Sequence, residues 1–231
     1  MLAIDTSTTS GAVALFDGDI LIAERTVGDV GTHADWLMQA IAALLDEAGA
    51  PVNDVGLFAL SHGPGSFTGL RIGVSTIKGL AWAAGRPVAG VSTLEALAYN
   101  ARYSNLPVCP VLDARKKEVY AALFSFSGGG LARVLMPDSA LTPVALFEFL
   151  EREGLSEKPV IFLGNGIKVY SEVIKKNVKR AIFAPGHLWH VRASNIALIA
   201  RQKGLKGVSA LDSAPVYYRK SEAELKSRKG P

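Results

Sequence analysis

The chain has 231 residues, of which 49% are hydrophobic and 20% are charged, and its formal net charge is +4. This length fits one large domain or two lobes of about 100 residues each. No basic segment precedes an apolar core at the N-terminus, and no run of about 18 uncharged apolar residues occurs, so we expect neither a signal peptide nor a membrane span. The single cysteine, Cys109, favours the reducing cytoplasm as the location.

The first hundred residues alternate between strand and helix patterns. An Asp17-Gly18 turn between two apolar runs predicts a hairpin. Apolar residues at helical spacing after His33 predict an amphipathic helix. The predicted strands are Leu2–Ile4, Gly11–Phe16, Ile20–Thr26, Val55–Leu60 and Pro87–Val91, and the predicted helices are His33–Ala48, Leu70–Ala84 and Thr93–Arg102.

The same order of elements begins again with a strand at Val108–Leu112. When the two segments are aligned, Asp5 matches Asp113, and Phe16 matches Phe124. The later predicted elements are the helix Pro143–Glu153, the strand Val160–Leu163 and the helix Arg192–Lys203, which we take as the counterpart of Leu70–Ala84. We therefore predict an α/β protein with the duplicated actin-like ATPase (ribonuclease H-like) fold. It would have two lobes, residues 1–103 and a degenerate 104–231, each with a mixed sheet flanked by helices.

The positive charge is concentrated near the C-terminus. From Tyr217 onward, five bases stand against two acids, so this tail contributes +3 of the net +4. The five bases are Arg219, Lys220, Lys226, Arg228 and Lys229. The rest of the chain is nearly neutral, so charge gives little support to a nucleic-acid surface. We expect a solvated tail, with a weak contact to RNA or to a partner as the alternative.

In an actin-like fold, two Asp-bearing turns face each other across a cleft that holds nucleotide phosphates. Small hydroxyl residues and a Gly-rich loop suit an anion, although Asp, Ser and Thr also cap tight turns. The second turn instead carries long charged side chains after Asp113, which makes independent ATP turnover doubtful. We predict no required cofactor, with ATP or ADP as an optional occupant. The candidate contacts are Asp5, Thr6, Ser7, Thr8, Gly63, Gly65, Ser66 and Arg115.

Several segments resemble the TsaB (YeaZ) family. They are Asp5-Thr6-Ser7, the helix start at Thr32–Leu37, the loop Ser61–Gly73, and Pro215–Arg219. The resemblance covers the whole chain and is sharpest in the first lobe. It implies an accessory subunit that binds the catalytic paralogue TsaD, with the ATPase TsaE joining the assembly, in forming N6-threonylcarbamoyladenosine in tRNA. Contact with tRNA would be indirect.

The resemblance also implies the absence of catalysis by this chain. TsaD has the same fold plus a His-x-x-x-His metal site on its first helix. Here His33 is followed by Leu37 at the second position, so the metal pair is missing. We predict no catalytic residue and no metal site.

The first two helices are the predicted partner surface. An apolar stripe on the first helix and small residues on the second allow close helix packing. Packing on the chain's own sheet is an equal alternative. The same surface would give a homodimer when the chain is alone. The candidate interface residues are His33, Trp36, Leu37, Ala40, Ile41, Leu44, Gly73, Thr76, Ile77 and Leu80.

Two other functions compete with the accessory role. An autonomous actin-like-fold kinase for a small molecule would need a second phosphate turn rich in Gly or Thr, which Arg115-Lys116-Lys117 does not provide. A direct tRNA-binding module would need a basic stripe with interleaved aromatics, for which Tyr217–Lys220 is the one short candidate.

Overall fold

The computed structural model describes residues 1–28 and 30–218, and it contains two five-stranded mixed sheets. In the first sheet the strand order is β3-β2-β1-β4-β5, with β2 antiparallel to β1 and β3, and with β4 parallel to β1 and β5. Its strands are β1 (Leu2–Asp5), β2 (Gly11–Asp17), β3 (Ile20–Val27), β4 (Phe58–Gly63) and β5 (Val88–Ser92). The helices of this repeat are α1 (His33–Glu47), α2 (Phe67–Ala84) and α3 (Thr93–Ala98).

The second sheet repeats this topology, with the order β8-β7-β6-β9-β10. Its strands are β6 (Val108–Asp113), β7 (Val119–Ser125), β8 (Arg133–Leu141), β9 (Val160–Leu163) and β10 (Ala181–Phe183). The helices are α4 (Pro143–Arg152), α5 (Ile167–Asn177) and α6 (Ala193–Gln202). The predicted duplicated actin-like fold is therefore confirmed. The division into lobes at residue 103 stays a prediction.

One predicted correspondence between the repeats is wrong. The counterpart of α2 is α5, which follows β9 directly, whereas α6 corresponds to α3. The sequence analysis missed α5 and the three-residue strand β10. Helix α5 does carry a helical pattern, since Ile167 and Ile174 are buried seven residues apart while Val169 and Val173 are exposed, so this signal was present in the sequence and was overlooked.

The two faces of the first sheet are covered by different helices. Large apolar side chains such as Leu2, Ile4 and Phe58 pack under α1 and α2. Small side chains such as Ala3 and Ala12 face α3 and α6. Because side chains alternate between faces along a strand, the large side chains fill the face under α1 and α2, and the small side chains on the opposite face let α6 approach closely. A helix from the end of the second repeat thus packs on the first sheet.

Side chains fix the ends of these helices. Ser66 caps α2, since its hydroxyl accepts a hydrogen bond from the Gly69 N–H at 3.2 Å, and Gly85 ends it with a φ of +64°. Glu24 of β3 caps α6 by accepting from the Ser194 N–H at 2.9 Å. Across residues 1–28 and 30–218, no helix has the length and apolar character needed to cross a membrane. The five tail bases, Arg219 to Lys229, lie outside the described residues.

Candidate functional site

A cavity of about 640 Å³ lies where the two Asp-bearing turns face each other. It is lined by residues 7–9, 64–67 and 112–116, and by 216–218 near the C-terminus. Of the predicted anion contacts, Ser7, Thr8, Gly65, Ser66 and Arg115 line this cleft. Asp5, Thr6 and Gly63 are buried and do not line it. The cleft therefore brings together the three segments that the sequence analysis singled out.

The Asp5 side chain is buried in the first half of the molecule and does not line the cleft. Its Oδ1 accepts hydrogen bonds from the Ser7 hydroxyl at 2.6 Å, from the Ser7 N–H at 3.2 Å and from the Ser61 hydroxyl. Its Oδ2 is buried without a hydrogen-bond partner. Burial raises the pKa of this carboxyl, while the hydrogen bonds from Ser61 and Ser7 act against that shift. This environment favours a structural carboxyl over a ligand for a hydrated metal.

Glycines let the first turn pack directly against the start of α2. A Cβ on Gly65 would lie 2.2 Å from the Ser7 carbonyl oxygen, and a Cβ on Gly69 would lie 2.0 Å from that of Thr6. At Gly73 the Thr6 hydroxyl would be 2.3 Å away. That hydroxyl donates to the Gly69 carbonyl at 2.8 Å. The Gly-rich loop thus serves close contact within the chain.

His33 ties α1 to the same turn. Its ring is almost fully buried, and Nε2 donates to the Thr8 carbonyl oxygen at 2.7 Å. Nδ1 is buried without a hydrogen-bond partner. Leu37, one turn later, has no exposed surface and packs in the core. The His33 ring therefore holds the turn in place, and the side chain at the next helical turn is apolar.

The second turn presents cations to the cleft. Arg115, Lys116 and Lys117 have φ values of +64°, +52° and +64°, a left-handed conformation that costs a non-glycine residue about 1–2 kcal/mol. Asp113 supports the turn, since its Oδ1 accepts from the Arg115 N–H at 2.8 Å. The Asp113 N–H in turn donates to Asn165 Oδ1 at 3.0 Å. Together with Arg71, this turn gives the cleft a positive side that suits an anion.

The sequence analysis did not predict several residues of the cleft wall, among them Phe67, Arg71, Tyr217 and Tyr218. The Tyr217 ring packs on Phe67, with ring centroids 4.9 Å apart. Arg71 donates from Nε to the Tyr217 hydroxyl at 3.1 Å. The local sequence carries no signal for these contacts, because they join residues about 150 positions apart. Within the described ranges, no group of three His, Cys, Asp or Glu side chains could hold a metal ion.

Comparisons with known proteins agree with this geometry. The family model of TsaD, described as tRNA N6-adenosine threonylcarbamoyltransferase, matches residues 30–227. The TsaB biosynthesis protein of tRNA threonylcarbamoyladenosine from Bacillus subtilis is 34% identical over 227 residues, covering 98% of this chain and 96% of that protein. Its Escherichia coli namesake is 30% identical and covers 96% of both chains. The chain belongs to the TsaB family. The solved structure of YeaZ from Pseudomonas aeruginosa superposes with a TM-score of 0.77, at 29% identity, covering 94% of this chain and 98% of that one.

For this TsaB-family chain, the predicted partner surface is narrower than the sequence suggested. Seven of the ten candidates are buried in the chain's own core: His33, Leu37, Ala40, Ile41, Leu44, Gly73 and Ile77. Their apolar pattern is explained by packing on the first sheet. Trp36, Thr76 and Leu80 are partly exposed. Of the predicted interface, these three side chains are the ones that a partner can reach in the folded chain.

Proposed function

We propose that this chain is a non-catalytic accessory subunit that binds TsaD and supports it, with TsaE, in forming N6-threonylcarbamoyladenosine in tRNA. Two full-length relatives carry the name of that biosynthesis, and the TsaD family model matches most of the chain. Under this proposal the chain contacts tRNA only through the complex. In the absence of TsaD it forms a homodimer through the same helical surface.

The single observation that carries the non-catalytic part is the pair His33 and Leu37. The paralogue's metal site needs two histidines one helical turn apart, because only then do both rings lie on one face. Here one ring bonds the Thr8 carbonyl, and the other position is a leucine buried in the core. A metal at this place would lack its second ligand.

We propose that no nucleotide is required, with ATP or ADP at most an optional occupant of the cleft. A kinase would hold a metal ion with a carboxylate that faces the phosphates. Asp5 faces inward, and Asp113 accepts from the Arg115 N–H beside it. These contacts weigh against the autonomous kinase. The RNA-binding alternative loses support as well, because Tyr217 packs on Phe67 within the chain.

The surface that fits TsaD best is a ridge on α2, defined by Thr76, Gly79, Leu80 and Ala83. These positions share one face of the helix, since they are spaced by three, one and three residues. A Cβ on Gly79 would meet nothing within 4 Å. Small residues on an exposed helical face allow the backbone of a second helix to approach closely. This α2 ridge replaces the buried candidates as the proposed interface.

Reconstitution with TsaD, TsaE and tRNA tests the function. We expect threonylcarbamoyl transfer to depend on addition of this chain, and the isolated chain to give no transfer. Transfer that is equally fast without the chain would refute the accessory role. Turnover of ATP by the isolated chain on a small-molecule acceptor would support the kinase instead.

The α2 ridge is tested with matched variants. Gly79→Arg places a bulky side chain on the ridge while favouring the helix, since glycine is a poor helix former. Val173→Arg on α5 is the control, because Val173 is also an exposed helical position. We expect Gly79→Arg to abolish co-elution with TsaD in gel filtration and Val173→Arg to leave it unchanged. Normal co-elution of a folded Gly79→Arg variant would place the interface elsewhere.

A further inference from the structure

Residues 213–218 return to the end of β4 after the chain has left α6. The Val216 N–H donates to the His62 carbonyl oxygen at 2.7 Å. A Cβ on Gly63 would lie 2.4 Å from the Val216 carbonyl oxygen, so a glycine is needed where the two segments touch. The main chain of this segment is therefore seated on the strand that leads into the Gly-rich loop.

Tyr217 holds the segment to the first half of the molecule. Its ring stacks on Phe67, and the Arg71 guanidinium lies 3.8 Å from the centroid of the same Phe67 ring. The Arg71 Nε also donates to the Tyr217 hydroxyl. Phe67 and Arg71 both belong to the first turns of α2, so one tyrosine clamps the segment over the start of that helix.

Tyr218 reaches the second half. Its hydroxyl donates to Asp138 Oδ2 at 3.4 Å, and Asp138 lies on β8 of the second sheet. The same carboxylate accepts from the Ser92 hydroxyl at 2.6 Å, at the end of β5 in the first sheet. Neighbouring tyrosines thus contact both halves of the molecule, and both line the cleft.

The segment is buried at its start, where Ser213 is 9% exposed, and exposed at its end. Val216, Tyr217 and Tyr218 keep 40%, 42% and 37% of their surfaces exposed. Segments with one main-chain hydrogen bond to the body and little buried apolar area open at a lower free energy than the sheets do. The inner strands β1, β4 and β6, by contrast, are almost fully buried.

We propose that residues 213–218 form a strap that closes one side of the cleft, joins the two halves of the molecule, and opens without unfolding of the sheets. The aromatic clamp of Tyr217 sets how firmly it closes. The contact of Tyr218 with Asp138 makes the strap sensitive to the position of the second sheet. Opening the strap exposes Gly63 and Leu70, which lie beside Val216, and the ring of Phe67.

Thiol labelling measures this opening. Leu70 lines the cleft and is 1% exposed, and its Cδ1 would lie 3.4 Å from a Cβ on Gly63, the residue that Val216 touches, so Leu70→Cys places a buried thiol beside the strap. The native Cys109 has no exposed surface, and burial raises its thiol pKa, so it does not compete for a maleimide. We expect Tyr217→Ala with Tyr218→Ala to speed labelling of Cys at position 70 by about tenfold. Tyr103→Ala, an exposed tyrosine outside the cleft, is the control and leaves the rate unchanged.

Two results would overturn the strap. One is an unchanged labelling rate in the folded double variant, and the other is an equal increase in the Tyr103→Ala control. Hydrogen exchange on the unaltered chain provides a test that needs no substitution. Peptides from 213–218 and 64–68 should exchange together and well before those of β1 and β6. Exchange of 213–218 only with the sheet core would show that the segment does not open separately.

Discussion

Two glycines on α2 provide a matched pair that separates internal packing from surface exposure. Gly73 is buried, and a Cβ there would lie 2.3 Å from the Thr6 hydroxyl oxygen. Gly79 is exposed, and its Cβ would meet nothing within 4 Å. Both occupy the interior of the same helix. We predict that Gly73→Ala destabilises the fold and that Gly79→Ala stabilises it.

The magnitudes follow from the contacts. Replacing glycine by alanine inside a helix contributes about 1 kcal/mol of stability, which Gly79→Ala should show in full. Gly73→Ala gains the same amount but adds an overpacking cost of roughly 1–3 kcal/mol. It also disturbs the hydrogen bond from the Thr6 hydroxyl to the Gly69 carbonyl, worth about 1 kcal/mol. The net effect at Gly73 is a loss of roughly 1–3 kcal/mol.

Urea unfolding of the isolated chain measures both changes. The difference between the two variants corresponds to a shift in midpoint of roughly 1 M. A Thr6→Ala background sharpens the test, because the next atoms near the Gly73 Cβ are Ile4 Cδ1 and Thr6 Cβ, each at an ordinary 3.5 Å. In that background Gly73→Ala should become stabilising. If Gly73→Ala with threonine kept at position 6 is as stable as the parent, the close approach of Thr6 does not explain why residue 73 is a glycine.

Two further predictions concern buried carboxyl groups. The Glu24 side chain is 7% exposed and accepts hydrogen bonds from the Ser194 N–H, the Ser194 hydroxyl and Arg192 at the start of α6. Glu24→Ala should therefore lower the free energy of unfolding in urea by roughly 2–3 kcal/mol. Glu24→Gln keeps one acceptor and should lose less, and equal losses in the two variants would contradict the capping role. Burial raises the pKa of Asp5 above its ordinary 3.8, so the folded state binds more protons and stability falls as the pH rises above that value. Asp5→Asn should therefore gain stability relative to the parent as the pH rises from about 4, and a constant difference in unfolding free energy across this range would refute it.

Local signals in the sequence were sufficient for most of the fold. The Asp17-Gly18 turn lies in the hairpin between β2 and β3, and the predicted strand Val160–Leu163 is β9 to the residue. The duplication could be seen because Asp5 and Asp113 end equivalent strands. These features depend on neighbouring residues and on period, which a single sequence displays directly.

Contacts between distant residues could not be predicted in this way. The apolar stripe of α1 fits a partner surface and a core surface equally well, and only the fold shows that Leu37 and Ile41 face the first sheet. Likewise, Pro215–Arg219 was noticed as a family segment, but nothing in it indicates that Tyr217 stacks on Phe67. The capping of α6 by Glu24 joins residues 170 positions apart and has no local signature.

The first turn explains why a cleft of this shape persists in a chain that we propose to be non-catalytic. In a nucleotide-binding relative of this fold, such a turn would present hydroxyls and N–H groups to phosphate. Here Asp5 is bonded by Ser61, Thr6 is in contact with Gly73, and the Thr8 carbonyl is bonded by His33. The turn therefore joins β1, β4, α1 and α2 at one point. Substitutions there should change the placement of α1 and α2, and with it the TsaD binding that we propose for the α2 ridge, before they change any chemistry in the cleft.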